Sequence, residues 1–265
     1  MEAAKGWAVV TGASSGLGLH FARALVARGY PVLAVARRED KLQELAREAT
    51  GRGGRLEVLA ADLQKREDVR AVADRAEELG SVELLVNNAG FASYGAFTEL
   101  PLERELEQIQ LNVVALVELT HRLAGGMAAR RRGGIINVAS TVAFQPNPYF
   151  ATYGATKAFV LSFTEAVAHE MKDKGVRALA VCPGPVTTEF AAVASSQELE
   201  KKIPNLAPED VVSAALAAFD AGRVVKVVGV VNKILAFFPR ITPRPIMRAI
   251  MSGFMKPAAL KALPA

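Results

Sequence analysis

Tyr153 and Lys157 stand four residues apart in "YFATYGATKAF" (149–159), and on a helix that spacing puts both side chains on one face. A phenol with a pKa near 10 is a poor acid or base at neutral pH, but a neighbouring ammonium favours the phenolate and lowers that pKa. Such a pair can give a proton to a carbonyl oxygen or take one from an alcohol. Ser140, at the end of "GIINVAS" (134–140), offers a hydroxyl that can polarise the same oxygen. Alone, a Tyr-x-x-x-Lys pair is ordinary helix surface, so its meaning depends on what else the chain brings to it.

A second group of residues is suited to phosphate. In "VVTGASSGLG" (9–18), Gly12, Gly16 and Gly18 surround Ser14, Ser15 and Leu17 directly behind a β-branched run. A Gly-rich turn that opens a helix brings backbone N–H groups and the positive end of the helix dipole close to an anion; otherwise it is a tight strand-to-helix connection. The second strand ends in "VARRED", where Ala36, Arg37 and Arg38 replace the acid that usually holds the ribose 2′-OH of NAD. An arginine fork suits a 2′-phosphate, which favours NADP(H) over NAD(H), although two arginines can also simply begin an exposed helix. Ser14 or Ser15 can add a hydroxyl to the same phosphate. Asp62, with Leu63 beside it, can accept from an adenine amino group or N-cap the next helix. In "VNNAG" (86–90), Asn88, Ala89 and Gly90 permit close backbone approach, and the amides can tie strand ends together; a simple turn is the alternative.

Seven apolar runs are spaced to carry these residues: 7–11, 31–36, 55–61, 82–87, 134–139, 176–181 and 224–229. Nearly continuous hydrophobicity marks strands covered on both faces. Between them lie helical patterns such as "LGLHFARALVARG", with Leu17, Phe21, Leu25 and Val26 on one face and Gly29 as the C-cap. This order predicts an α/β fold, a single doubly wound (Rossmann) parallel sheet with helices on both faces, whose ligands bind beyond the C-terminal strand ends. Residues 1–229 are expected to form the dinucleotide-binding and catalytic domain, and 230–265 a helical C-terminal extension.

Composition narrows the partners. The 265-residue chain is 51% hydrophobic and 22% charged, with a net charge of +5. Its basic residues are scattered rather than packed into a tract with aromatics, so nucleic acid is not expected. "MEAAKGW" is not a secretory leader, and the apolar stretch 224–238 is interrupted by Lys226 and Lys233 and is shorter than the ~20 residues of a membrane span. The lone Cys182 lies in an apolar strand and reads as a buried thiol in a reducing compartment; a cytoplasmic location is expected, and no metal.

Together these motifs resemble the short-chain dehydrogenase/reductase family. T-G-x-x-x-G-x-G (11–18), N-N-A-G (87–90), Asn112 in "LNV", Ser140, Y-x-x-x-K (153–157) and P-G-x-V-x-T (183–188) stand in that family's order and spacing. The resemblance, from about residue 6 to 229, implies Tyr153 as general acid/base. By the same resemblance Lys157 lowers its pKa and holds the nicotinamide ribose, Ser140 orients the carbonyl, and Asn112 supports a water-linked proton path to Lys157. It further implies that Gly12, Gly16 and Gly18 border the pyrophosphate and that Arg37 meets the 2′-phosphate. Asp62 and Asn88 would approach the adenosine end and Val186 and Thr188 would contact the carboxamide, with Pro183 and Gly184 also among the cofactor-binding residues. The expected function is an NADP(H)-dependent oxidoreductase interconverting a ketone and a secondary alcohol; the alternative is a non-catalytic NADP(H)-binding regulator or membrane-surface scaffold.

Substrate walls are expected after Gly90, between Ser140 and Tyr153, and in 189–205. Phe91, Tyr94, Phe97, Phe144, Tyr149, Phe150 and Phe190 make those segments apolar, pointing to a hydrophobic substrate, to core packing or to subunit contacts. The last segment reads as a mobile lid. Beyond residue 229 the sequence leaves the family pattern. Ile246, Met247, Ile250, Met251, Phe254 and Met255 recur at helical spacing, with Arg244, Arg248 and Lys256 elsewhere on the wheel. Packing on the domain, dimerisation, or peripheral contact with an anionic membrane would each use such a helix. A homo-oligomer, dimer or tetramer, is expected.

Overall fold

A computed structural model describes residues 5–194, 196 and 205–257. The seven apolar runs form strands β1 Trp7–Thr11, β2 Val32–Ala36, β3 Leu56–Ala60, β4 Val82–Asn87, β5 Gly133–Val138, β6 Val176–Cys182 and β7 Val225–Val227. They pair in parallel in the order β3-β2-β1-β4-β5-β6-β7. The sheet is doubly wound, as expected, with its order reversing between β1 and β4, where such sheets open a ligand crevice.

Helices α1 Gly16–Ala27, α2 Glu39–Gly51, α3 Arg66–Leu79, α4 Leu102–Ile109, α5 Leu116–Ala129 and α6 Ala151–Met171 alternate with the strands. They are followed by α7 Phe190–Val193, α8 Pro208–Asp220, α9 Val230–Ile241 and α10 Arg244–Met255. Acidic residues in the first turns of α2, α3 and α8 complement the helix dipoles. Gly29, expected as the C-cap of α1, follows the C-cap residue Arg28 by one position.

Strand alternation feeds two cores. Ala8 and Val10 of β1 pack with Phe21, Leu25, Leu42 and Phe219 under α1, α2 and α8. Trp7 and Val9 face the opposite side, with Val69, Val72, Leu119 and Met127 of α3 and α5. Both faces of β1 are thus buried, which explains why the strand reads as continuous hydrophobicity rather than alternation.

A polar seam fixes β4 and β5 between these cores. Asn87 Nδ2 donates to Asn137 Oδ1 at 2.9 Å and Thr120 Oγ1 at 3.0 Å, and Asn137 Nδ2 donates to Thr164 Oγ1 at 2.9 Å. The seam joins both strands to α5 and α6, and so holds the strand ends that carry Ser140 and Asn88. Asn137→Ala should destabilise the fold by about 2–4 kcal/mol, because it strips partners from buried amide and hydroxyl groups. Urea denaturation that shows a change under about 0.5 kcal/mol would refute that role.

Candidate active site

The turn after β1 is shaped for close approach. Gly12 has φ +67°, and a Cβ there would lie 2.7 Å from Asn88 Nδ2. At Gly18 a Cβ would lie 2.2 Å from the Gly12 carbonyl oxygen, so α1 packs down on the turn itself. Ser15 is the N-cap of α1 but makes no side-chain cap bond, leaving the helix N-terminus available to an anion. Thr11, absent from the expected site residues, organises the loop: its Oγ1 accepts from the backbone N–H groups of Asn88 and Ala89, each at 3.0 Å. Asn88 Nδ2 donates back to the Thr11 carbonyl at 2.9 Å. The amide therefore ties the ends of β1 and β4 together, as its position in "VNNAG" suggested.

A cavity of about 450 Å³ runs across the C-terminal strand ends. Gly12, Ser14, Ser15, Gly16 and Leu17 line its middle, with Asn88, Ala89 and Gly90 opposite. One end is polar, lined by Arg37, Arg38, Asp62 and Leu63. Arg38 pairs with Glu189 at 3.0 Å and touches Ser14 Oγ at 3.4 Å, whereas Arg37 is exposed and makes no ion pair among the described residues. Asp62 does not cap α3, whose N-cap is Lys65. Its Oδ1 instead accepts from Gln64 N at 3.2 Å, while its own N–H donates to Asp68 Oδ2 at 2.7 Å.

Ser140, Tyr153 and Lys157 meet at the other end, with Pro183, Gly184, Val186 and Thr188. Ser140 ends the strand segment behind β5 and caps a short 3₁₀ turn by accepting from Val142 N at 3.3 Å. Tyr153 and Lys157 sit in the first two turns of α6, both buried. Burial raises the Tyr153 pKa above its ordinary value, and the hydrogen bond with Ser140 only partly opposes this. The expected depression by Lys157 is not found in the chain alone. The ammonium lies 5.7 Å from the phenol ring centroid and donates to the Val138 carbonyl at 2.6 Å, so desolvation dominates at Tyr153. Burial also brings Lys157 down to about 8. Cys182 is a fully buried thiol pushed up to about 12 by desolvation, in keeping with a packing role.

Gly18 and Asn112 do not line the cavity. Asn112 lies where α4 gives way to a π-helical segment, Gln110–Ala115, a widened turn of the kind found at functional sites. Its Nδ2 donates to the Phe91 carbonyl at 2.9 Å and Thr156 Oγ1 at 3.2 Å, and its Oδ1 accepts from Phe91 N at 3.1 Å. The side chain thereby clamps the loop after Gly90 to α6. A Cβ on Gly90 would lie 2.8 Å from Asn112 Oδ1 and 3.8 Å from Lys157 Nζ, so both side chains border this glycine.

Beyond Ser140, Tyr153 and Lys157 the wall is apolar. The Phe150 ring lies 4.8 Å and the Phe190 ring 5.5 Å from the Tyr153 ring, centroid to centroid. Tyr149, which holds φ +64°, is anchored by Gly95 N donating to its carbonyl at 2.9 Å. Phe91 also lines the cavity, but Phe97 is 62% exposed and Phe144 packs beside Val160 and Leu161. Phe254 and Met255 complete the wall from the end of α10, and Tyr94 Oη donates to the Met255 carbonyl at 2.6 Å. The tail therefore returns to the site and forms part of it. Most of the expected lid, 195 and 197–204, lies outside the described residues.

A nicotinamide dinucleotide fits this donor set: an uncapped helix N-terminus, a loop with no room for Cβ atoms, arginines at one end and a proton-bearing phenol at the other. The short chain dehydrogenase family model matches residues 6–199. A very-long-chain 3-oxoacyl-CoA reductase of Pyrenophora tritici-repentis is 34% identical over 218 residues, covering 80% of this chain but only 62% of that protein. Among solved structures, a short-chain dehydrogenase from Sphingobium yanoikuyae in complex with NADPH is similar with a TM-score of 0.82 and 30% identity, covering 98% of this chain and 99% of that one. The bulky-bulky ketone specific alcohol dehydrogenase from Comamonas testosteroni is similar with a TM-score of 0.79 and 29% identity, covering 98% and 100%. Sequence, fold and site geometry agree: the chain belongs to the short-chain dehydrogenase family, and is an NAD(P)-dependent oxidoreductase of carbonyls and alcohols.

Proposed function

We propose that the protein reduces a ketone on an apolar, acyl-type substrate with NADPH, Tyr153 donating the proton. The observation that carries this reading is the convergence of Ser140, Tyr153 and Lys157 on a cavity end walled by Phe150, Phe190 and Met255. The bound nicotinamide supplies the hydride. The chain supplies the rest. Ser140 orients the substrate oxygen by hydrogen bonding. Tyr153, protonated at neutral pH and bound more tightly to its proton by burial, gives that oxygen its proton as negative charge develops. Lys157 places a positive charge behind the phenol and eases its transient loss of the proton. Aromatic walls exclude water and hold the acyl part.

Two relatives bear on the substrate: one is a 3-oxoacyl-CoA reductase and the other a ketone-specific alcohol dehydrogenase. Both chemistries present a ketone flanked by bulk. Arg37 and Arg38 support NADPH over NADH, since a guanidinium fork can pair with a 2′-phosphate and no acid competes for a 2′-OH at that strand end.

The test is cofactor oxidation by the purified protein with 3-oxoacyl thioesters and bulky aryl and steroid ketones, NADPH against NADH. Turnover is expected with NADPH at a kcat/KM about 10–100-fold above NADH, and an Arg37→Ala/Arg38→Ala double variant should lose most of that ratio through KM for NADPH. Equal use of both cofactors by the wild type would overturn the NADPH assignment, and activity confined to small polar ketones would overturn the apolar substrate.

A further inference from the structure

We propose that α9 and α10 dock this protein on an anionic lipid surface. In α9, Asn232 and Ala236 face inward and are buried, while Val230, Ile234, Phe237 and Ile241 form an outward stripe, each 58 to 72% exposed. In α10, Met247 and Met255 are buried towards the body, whereas Ile246 and Ile250 are 53% and 46% exposed. Large apolar side chains that recur at helical spacing on the outside of two successive helices are of the kind that monomeric soluble proteins seldom leave uncovered.

Charge identifies the occupant. From residue 221 to the end, the chain has eight lysines and arginines and no aspartate or glutamate, although the whole chain carries 32 basic and 27 acidic residues. The net positive charge is therefore concentrated in this one segment, and the preceding part is net acidic. Lys233, Arg240, Arg244 and Arg248 are exposed and make no ion pair among the described residues. On the α9 wheel, Lys233 and Arg240 border the apolar stripe, where long basic side chains can reach lipid phosphates while the stripe enters the acyl boundary. A second copy meeting this face symmetrically would bring these cations together with no acid in either copy's 221–265 segment to pair with them. Among the described residues no helix is long and apolar enough to cross a membrane, so the contact is interfacial. Because α10 ends in the wall of the catalytic cavity, docking would set the site beside the lipid surface.

Co-sedimentation of the full-length protein with phosphatidylcholine vesicles, with and without phosphatidylserine, tests this directly. Binding is expected only with phosphatidylserine and should weaken at high salt. An Arg240→Ala/Arg244→Ala variant should bind about 20–30-fold more weakly, since each cation near an anionic surface contributes about fivefold. Phe237→Asp should bind at least tenfold more weakly, with NADPH binding and thermal melting unchanged as controls for folding. Absence of wild-type binding, or equal binding to both vesicle types, would overturn the proposal. Light scattering that shows a dimer dispersed by Phe237→Asp, in a protein that ignores vesicles, would assign the face to a second copy instead.

Discussion

Tyr153→Phe should lower kcat for NADPH-driven ketone reduction by about 10²–10⁴-fold, the usual worth of a positioned proton donor. The substitution removes one oxygen and keeps the ring that packs 4.8 Å from Phe150 and 5.5 Å from Phe190. Stability should therefore stay within about 1 kcal/mol, the net worth of the lost hydrogen bond with Ser140. NADPH affinity should also persist, because the turn proposed to hold the phosphates, around Gly12, Ser15 and Gly18, lies on a different segment. Single-turnover kinetics, with fluorescence titration of NADPH, separate these effects. A variant that retained full turnover would remove Tyr153 from the chemistry, and one that lost NADPH binding as well would show that the phenol serves the cofactor rather than proton transfer.

Lys157→Met should abolish most activity and stabilise the protein. Burial lowers the Lys157 pKa from its ordinary value of 10.5 to about 8, so the folded state holds this proton less tightly than the unfolded chain. The group therefore costs stability fully below pH 8, by roughly 3 kcal/mol, and that cost disappears as pH rises from about 8 to 10.5. Methionine fills similar space without a charge, at the loss of the 2.6 Å bond to the Val138 carbonyl. The net gain at pH 7 should be about 1–2 kcal/mol, or about 2–8 °C in Tm, shrinking as pH is raised towards 10.5. Wild-type reduction should fall above about pH 8 as the ammonium behind Tyr153 is lost, and Lys157→Arg should extend activity to higher pH if it folds. Calorimetry across pH gives the first result, and a pH profile of kcat/KM gives the second. A methionine variant that is less stable at pH 7 would mean that the Val138 bond outweighs the buried charge.

The central strands were legible because they are buried on both sides and offer uninterrupted apolar runs; the edge strands β3 and β7 are only partly buried, and β7 is shortened to Val225–Val227. The glycine-rich turn after β1 was legible for a local reason. Its glycines are demanded by a turn and a helix packed within a few residues of one another, and such constraints are written in consecutive positions. The roles of Thr11 and Asn137 were not legible. Each works through partners tens of residues distant, Asn88 in the first case and Thr164 and Asn87 in the second. Asp62 was ambiguous for a local reason: it bonds Gln64 and Asp68 nearby, and its alternative as a helix cap fails because α3 begins at Arg66, with Lys65 as its N-cap.

The sequence by itself determined the sheet, the glycine-rich turn after β1 and the presence of a Tyr-x-x-x-Lys pair with a serine nearby, because period, turn chemistry and short spacing act along the chain. Only the tertiary structure decided the proton affinities of that pair and the wall it faces. Burial raises Tyr153 and lowers Lys157, and desolvation depends on everything folded over a group rather than on its neighbour four residues away. Likewise, helical spacing in 246–255 fixed which residues share a face, but not what each face meets. Packing turned Met255 into the cavity, where Tyr94 holds its carbonyl, and left Ile246 and Ile250 outside, because a helix beside a folded body can bury only the side it presents to that body.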